Sequence, residues 1–144
     1  MSRRVLVLLC MLLFVGLPAL AQEHYNEGPV WRITFYKIKP NQQDAYFTSL
    51  QQKGKPYLDQ LKQQGTIMDY KTYLNETSSG PRDWDLALAV EYKNFAALDG
   101  LTARMEAARD KFFGSKDSAQ QVGQQRVEMR EEVGSILVRE VMFK

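Results

Sequence analysis

The feature of this sequence that most constrains its fold is a regular alternation of side-chain size over residues 84–92. Large side chains occupy every second position, which is the period of a β-strand with one buried face. The large set is Trp84, Leu86, Leu88, Val90 and Tyr92, and the intervening set is Asp85, Ala87, Ala89 and Glu91. Residues 30–38 alternate in the same way, with Trp31, Ile33 and Phe35 on one face. We therefore predict two strands whose bulky faces contribute to one core.

Helical and strand periods alternate along the rest of the chain. Apolar residues at three- and four-residue steps predict an amphipathic helix over residues 43–64, which Pro56 should kink or split because it has no amide proton. Strand character returns at residues 66–74, before an irregular connection. After a cap at Asn94 we expect a helix ending near Gly114. A second helical segment at residues 118–130 and a last strand at 133–143 complete the order.

The order β-α-β-β-α-β, with its last helix doubled, predicts an α+β fold of ferredoxin-like type, a four-stranded antiparallel sheet with helices on one face. The first strand with its Lys39-Pro40-Asn41 turn, the helix after it, the alternating strand and the terminal strand resemble the dimeric α/β-barrel superfamily. That group includes antibiotic-biosynthesis-monooxygenase-like and NIPSNAP-like domains. The resemblance covers about residues 30–144, and Asn41 stands where these proteins often have glycine. It implies a homodimer.

The first 21 residues are typical of a cleavable secretory signal peptide. A basic start is followed by an unbroken apolar run at residues 5–15, and Ala19 and Ala21 fit the small-residue positions before a cleavage site. The run is too short for a membrane span, which needs roughly 20 residues. We expect an exported protein, periplasmic or extracellular. Its parts would be a signal peptide at 1–21, a flexible leader at 22–29 and one ferredoxin-like domain at 30–144.

The charge balance argues against two classes of partner. The full chain has 19 basic and 17 acidic residues, and loss of Arg3 and Arg4 with the signal peptide leaves 17 of each. Nucleic acids and anionic membranes both attract proteins that have a basic excess. We therefore expect no nucleic-acid partner, and no membrane association after signal cleavage.

Few residues are suited to metal or cofactor chemistry. The single histidine, His24, falls in the leader, and the single cysteine, Cys10, would be lost with the signal peptide. Zinc, iron-sulfur and haem sites depend mainly on these two residue types. Some members of the superfamily that the chain resembles bind haem through a histidine, but no predicted strand or helix supplies one here. The sequence predicts no metal and no cofactor.

Clusters of charged residues are interpreted as facing solvent. Asp83 and Asp85 are two residues apart on one strand face, where paired carboxylates can share a proton or bind a hard cation. At the mouth of a loop such groups are more often solvated. Arg126 and Arg130, with the glutamates at 131 and 132, have the spacing of a solvated helical face. We assign no catalytic residue.

Aromatic residues at strand positions indicate a ligand cleft. Buried tyrosine and tryptophan need partners for their polar tips, so Trp31, Tyr70, Trp84 and Tyr92 suit the margin of a pocket between sheet and helices. The simpler interpretation is that they pack the core. Our first hypothesis is an exported homodimer that binds a small aromatic or apolar molecule through these four residues. The alternatives are a cofactor-free monooxygenase-like enzyme, which the resemblance implies, and a purely structural exported dimer.

The second face of the sheet is the expected dimer interface. Helices on one side of a sheet leave its other face uncovered, and a mixed polar and apolar face suits contact with an identical copy across a two-fold axis. The residues that the alternation assigns to this face are Arg32, Tyr36, Asp85, Ala87, Ala89 and Glu91.

Overall fold

The computed structural model describes residues 24–77, 80 and 83–144, and the predicted signal peptide lies outside them. The chain divides into two compact units. One is Gly28–Glu140, and the other comprises Met1–Glu27 and Val141–Lys144. Within the described part of the second unit, the Lys144 amide donates a hydrogen bond of 3.2 Å to the His24 carbonyl.

The elements follow the order predicted from the sequence. They are strand β1 (Tyr25–Ile38), helix α1 (Gln43–Ser49), a π-helical segment (Leu50–Gly54), helix α2 (Lys55–Gln63), strands β2 (Asp69–Leu74) and β3 (Leu86–Tyr92), a 3-10 turn (Phe95–Leu98), helices α3 (Leu101–Phe113) and α4 (Lys116–Met129), and strand β4 (Arg130–Phe143). The sheet order is β2-β3-β1-β4, and both β1 and β2 run antiparallel to β3. This is the predicted ferredoxin-like α+β arrangement. None of the helices in the described ranges has the length and apolar character that crossing a membrane requires.

Strand β1 begins at Tyr25, earlier than the predicted start at residue 30. The strand therefore continues through Gly28 and Pro29. A Cβ added at Gly28 would lie 3.0 Å from Glu140 Cβ and 3.1 Å from the Glu140 carbonyl oxygen. Glycine allows the two backbones to approach this closely.

The register of β1 against β3 determines which side chains share a face. Ile33 pairs with Ala89, whereas Leu88 pairs with Thr34. Directly paired residues point to the same side of the sheet. The prediction that Ile33 and Phe35 share the core face of Leu88 is therefore wrong. Alternation separates the two faces of one strand, but pairing register decides how the faces of neighbouring strands match.

The helices cover the face of β3 that carries its large side chains, as predicted. Two core clusters lie beneath them. The first is formed by Tyr57, Leu61, Ile67, Val90, Tyr92 and Leu101, and the second by Tyr36, Tyr46 and Leu86. Burying each large side chain of this kind contributes roughly 1.5–3 kcal/mol to stability.

Asp85 immediately precedes β3 and lies outside the regular alternation of that strand. Its carboxylate accepts a 2.7 Å hydrogen bond from the Ile38 amide and forms a 2.8 Å ion pair with Lys37 Nζ. Its own amide donates to the Tyr36 carbonyl. The carboxylate thus joins the ends of β1 and β3, which is a structural role, and regular pairing begins at Leu86.

Candidate functional site

A mainly apolar cavity of about 300 Å³ lies between the helices and the covered face of the sheet. We call it the cleft. Helix α1, the π-helical segment, α2, β2, β3 and the first residue of β4 form its wall. Its principal side chains are Tyr46, Leu50, Leu58, Tyr70, Leu86 and Leu88. The volume is at the lower end of the range for small-molecule pockets.

The π-helical segment shapes one wall of the cleft. The Lys55 amide donates to the Leu50 carbonyl, so the turn is wider than an α-helical turn. Pro56 follows at once and has no amide proton to donate, and the helix is split at this point, as predicted. Gly54 is buried in this wall, where a Cβ would lie 3.2 Å from Leu50 Cδ2. π-Helical turns occur frequently at functional sites.

Arg130 contacts two aromatic rings at the edge of the cleft. Its guanidinium carbon lies 3.4 Å from the centre of the Tyr36 ring and 5.2 Å from that of Tyr46. Its Nη1 also donates a 2.5 Å hydrogen bond to the Tyr46 hydroxyl. Tyr46 is completely buried, and burial raises the pKa of its phenol although the Arg130 charge opposes the rise.

Arg126 precedes Arg130 by one helical turn and lines a second cavity, of about 230 Å³. Arg130 lines both cavities. Among the described residues, Arg126 Nε and Nη2 are buried without a hydrogen-bond acceptor. Burial, and then repulsion by the Arg130 charge, lowers the pKa of Arg126. The interpretation of this pair as a solvated helical face is therefore wrong for Arg126.

Tyr70 lies at the margin of the cleft, next to a carboxylate. Its hydroxyl donates a 2.6 Å hydrogen bond to Asp59, which also forms a 2.6 Å ion pair with Lys55. Burial first, and then the bond to Asp59, raises the pKa of Tyr70 to about 12. The bonds from Lys55 and Tyr70 lower the pKa of Asp59, so the pair exists as a phenol and a carboxylate at neutral pH.

The structure does not bring together the four aromatic residues predicted to share one site. Tyr70 lines the cleft, and Tyr92 is 3% exposed within the first core cluster. Trp31 pairs with Glu91 and so lies on the opposite face of the sheet. Trp84 packs on that same face against Phe35, with ring centres 5.4 Å apart. The predicted set is therefore divided between two surfaces.

The second surface is the uncovered face of the sheet, which we call the concave face. It encloses about 640 Å³ and is lined by Trp31, Ile33, Phe35, Trp84, Ala87 and Val138, among others. Lys71 Nζ lies 5.1 Å from the centre of the Trp31 ring, whose Nε1 donates a 3.4 Å bond to Glu140. The prediction that Arg32 and Tyr36 lie on this face is wrong, because they pair with Val90 and Leu86 of the covered face.

The chemistry available in the cleft is that of cations and protonated phenols. Because the pKa values of Tyr46 and Tyr70 are raised, both phenols stay protonated at neutral pH. They can take part in hydrogen bonds but are poor bases. Within residues 24–77, 80 and 83–144, no three or more His, Cys, Asp or Glu side chains are grouped to bind a metal ion.

Tyr46 was not predicted to be a site residue, and Arg126 and Arg130 were interpreted as part of a solvated helical face. A cation in the last turn of a helix, followed by another immediately after its end, is an ordinary surface pattern. The signal that was available is the proximity of Arg130 to the start of a strand, which directs its side chain back towards the sheet. Tyr46 lies next to Phe47, and only Phe47 belongs to the apolar residues whose three- and four-residue spacing predicted the helix over residues 43–64.

Comparison with solved structures gives similarities at low sequence identity. HapK from Hahella chejuensis is 12% identical with a TM-score of 0.52, over 77% of this chain and 91% of that chain. A NIPSNAP family protein of unknown function from Agrobacterium tumefaciens is 12% identical with a TM-score of 0.51, over 84% and 92%. A dimeric protein of unknown function and ferredoxin-like fold from Bacteroides fragilis is 18% identical with a TM-score of 0.44, over 80% and 97%.

No protein-family model matches the chain, and no curated protein matches it significantly. Structural similarity at this level of identity establishes the fold, whereas function has to be inferred from the residues of the site. The similarity to HapK and to the NIPSNAP family protein agrees with the strand order β2-β3-β1-β4. This chain therefore has the ferredoxin-like α+β fold.

Proposed function

We propose that this protein is a binding module that holds a small, mainly apolar molecule in the cleft. The observation that carries the proposal is the cleft itself, a cavity of about 300 Å³ walled chiefly by leucine and tyrosine side chains. In pockets of this kind, apolar contact provides most of the affinity, and a few polar groups fix the orientation of the ligand. Arg130, Lys55 and Tyr70 would be those polar groups.

The space is costly to the fold unless something fills it. Protein interiors pack about as densely as organic crystals, and an unfilled space forfeits the contacts of its lining side chains. Here a π-helical turn and a buried glycine form one wall of the space. This arrangement favours a ligand site over the purely structural alternative.

Fluorescence of N-phenyl-1-naphthylamine, a neutral naphthalene probe, tests the proposal. We expect saturable binding of one probe per chain. Thr72→Trp should weaken it by about tenfold or more, which corresponds to about 1.4 kcal/mol, because Thr72 is exposed on β2 at the mouth of the cleft. Thr102→Trp, at an exposed position on α3, is the matched control. Equal affinity in both variants, or no saturable binding, would overturn the proposal.

The dimer and the export predicted from the sequence belong to the same proposal. The concave face carries apolar residues together with Lys71 and Glu140, and a face with both signs of charge can complement itself across a two-fold axis. We infer that a second copy of the chain covers this face. Export is supported by the signal-peptide pattern of residues 1–21.

A further inference from the structure

The end of α4 carries two arginines next to the cleft. Arg126 and Arg130 are four residues apart, which places them on one side of the helix end. Arg130 lines the cleft and also the second cavity, which is lined in addition by Arg126, Arg109 and Glu132. Three arginines and one glutamate therefore surround that cavity, and the local excess of charge is positive.

In the described parts of the chain, the positive charge that lacks a partner in this cavity is that of Arg126. Two of its nitrogens, Nε and Nη2, are out of contact with water and have no acceptor among the described residues. Glu132 is exposed, and within the part of the chain that the structure describes no ion pair joins it to either arginine. Arg109 is already paired with Asp110 at 3.2 Å. Arg126 is partly buried, and guanidinium nitrogens that are buried without an acceptor are unfavourable, so an anion at this site would be stabilising.

Gly54 brings this charge next to the cleft. It lines the cleft, and a Cβ built on it would lie 3.6 Å from Arg126 Nη2. Arg126 itself does not line the cleft, but its Nη2 lies close behind Gly54. Arg130 lines the cleft, so a molecule there can place a polar end at Arg130, next to the Arg126 charge. Its apolar part would remain against Leu58 and Leu88.

We propose that the ligand of the cleft is a small amphipathic anion, whose carboxylate or chemically similar oxyanion binds between Arg130 and Arg126. This inference rests on the proposed binding function and adds the chemical class of the ligand. Arginine suits the task because its planar guanidinium presents paired N–H donors to an oxyanion. The Tyr36 ring stacked on Arg130, and the Tyr46 hydroxyl bonded to it, hold that side chain in position.

Two probes that share one aromatic body test the proposal. 1-Anilinonaphthalene-8-sulfonate carries the anilinonaphthalene group of N-phenyl-1-naphthylamine and adds a sulfonate. We expect the full-length protein to bind the sulfonate probe about tenfold more tightly than the neutral one. In Arg126→Gln this preference should be lost, through weaker binding of the sulfonate and with the affinity for the neutral probe within about twofold of the unmodified protein. Retained binding of the neutral probe shows that the variant is folded.

Two further variants separate the possible outcomes. Arg126→Lys should keep part of the preference because it keeps the charge, and Lys111→Gln, at an exposed position on α3, should keep all of it. Equal affinity for both probes, or an equal loss in Lys111→Gln, would overturn the anion proposal. If the neutral probe binds and Thr72→Trp displaces it while the sulfonate gives no advantage, the binding function stands and this inference fails. If neither probe binds, both fail.

Discussion

At the scale of single residues, Arg130 is the side chain on which the site depends most. It stacks on Tyr36, donates to Tyr46 and lines the cleft. A cation over an aromatic face is worth about 2 kcal/mol when it is shielded from water, and a hydrogen bond that involves a charged group is worth about 1.5–3 kcal/mol. The same residue therefore contributes to stability and offers its remaining donors to a ligand.

Removing the hydroxyl that binds Arg130 should destabilise the protein. Tyr46→Phe keeps the buried ring but leaves a guanidinium nitrogen without its acceptor, and we expect the free energy of unfolding to fall by about 1–3 kcal/mol. Urea denaturation measures the change. Tyr73→Phe, on a side chain that is 48% exposed, is the control and should change stability by less than about 0.5 kcal/mol. Similar losses in both variants would contradict the role of the Tyr46 bond.

The Tyr70 phenol should titrate at about pH 12 in the folded protein, compared with 10.0 for an unperturbed tyrosine. Because the folded-state pKa is raised, the stability that this group provides is complete below about pH 10 and is lost as the pH rises towards 12. Carbon-13 NMR of labelled tyrosine, assigned with Tyr70→Phe, checks the value. Asp59→Asn should lower this pKa without restoring 10.0, since burial is the larger cause. An unchanged pKa in Asp59→Asn would exclude the hydrogen bond as a cause.

At the scale of elements, the π-helical segment allows Pro56 and the cleft to coexist. Proline in a regular helix removes one hydrogen bond and clashes with the carbonyl four residues before it. The wider turn at Leu50–Gly54 accommodates the ring, and the chain continues directly into α2. The packing of the flanking helices, which place Tyr46 and Leu61 in the core, stabilises this non-standard turn.

An alanine at Gly54 should narrow the cleft with little change in stability. The substitution favours the helix by about 1 kcal/mol, but its Cβ would lie 3.2 Å from the flexible end of Leu50, which has to shift. We expect a net change in unfolding free energy below about 1 kcal/mol and weaker binding of the neutral probe. In Gly123→Ala, where a Cβ meets nothing within 4 Å, stability should rise by about 0.5–1 kcal/mol with probe affinity unchanged. Unchanged affinity of Gly54→Ala for the neutral probe would show that Gly54 does not shape the binding cleft.

Element order and type could be predicted from periodicity because each strand and helix carries its own pattern. The side of the sheet to which each face of β1 belongs could not be predicted, because the alternation of β1 is compatible with either side. The pairing of Ile33 with Ala89 determines which side it is. For the same reason Trp31 and Tyr92 were assigned to one margin although the sheet separates them. The site formed by Arg126 and Arg130 could not be predicted from the sequence, because it depends on the direction in which Arg126 points once α4 has packed against the rest of the fold.

At the scale of the whole molecule, the two faces of the sheet differ in what covers them. The helices cover one face, and on the other the described residues leave an apolar, concave surface rimmed by charges. Exposed apolar residues of β4 lie on the side of the sheet that includes Val138; Ile136 and Val138 are 47% and 38% exposed. Contiguous apolar surface of this kind on a folded protein usually marks an interaction site.

The protein should be a homodimer at micromolar concentration, and a charge placed on the concave face should dissociate it. Ile33→Lys buries an ammonium group in the expected interface, so light scattering should report the mass of a single chain. Val127→Lys, at a position on α4 that is 69% exposed, should remain dimeric. If the unmodified protein is a monomer, or if both variants are dimers, the concave face is not the interface.

The intact mass of the exported protein tests the expected export. Removal of residues 1–21 should leave a chain that begins at Gln22, because Ala19 and Ala21 occupy the positions that signal peptidases require. An exported species that still contains Met1 would show that the segment is not cleaved.

The division of the aromatic residues between the two surfaces gives the molecule separate optical reporters. Its two tryptophans, Trp31 and Trp84, both lie at the concave face, whereas the aromatic side chains of the cleft are tyrosines. Burial of an indole shifts its emission to shorter wavelengths, so association through the concave face should shift the emission as the protein concentration rises. A non-absorbing ligand in the cleft should leave that emission unchanged and alter the near-ultraviolet circular dichroism of Tyr46 and Tyr70. Occupancy of the two surfaces can therefore be followed independently in one unlabelled sample.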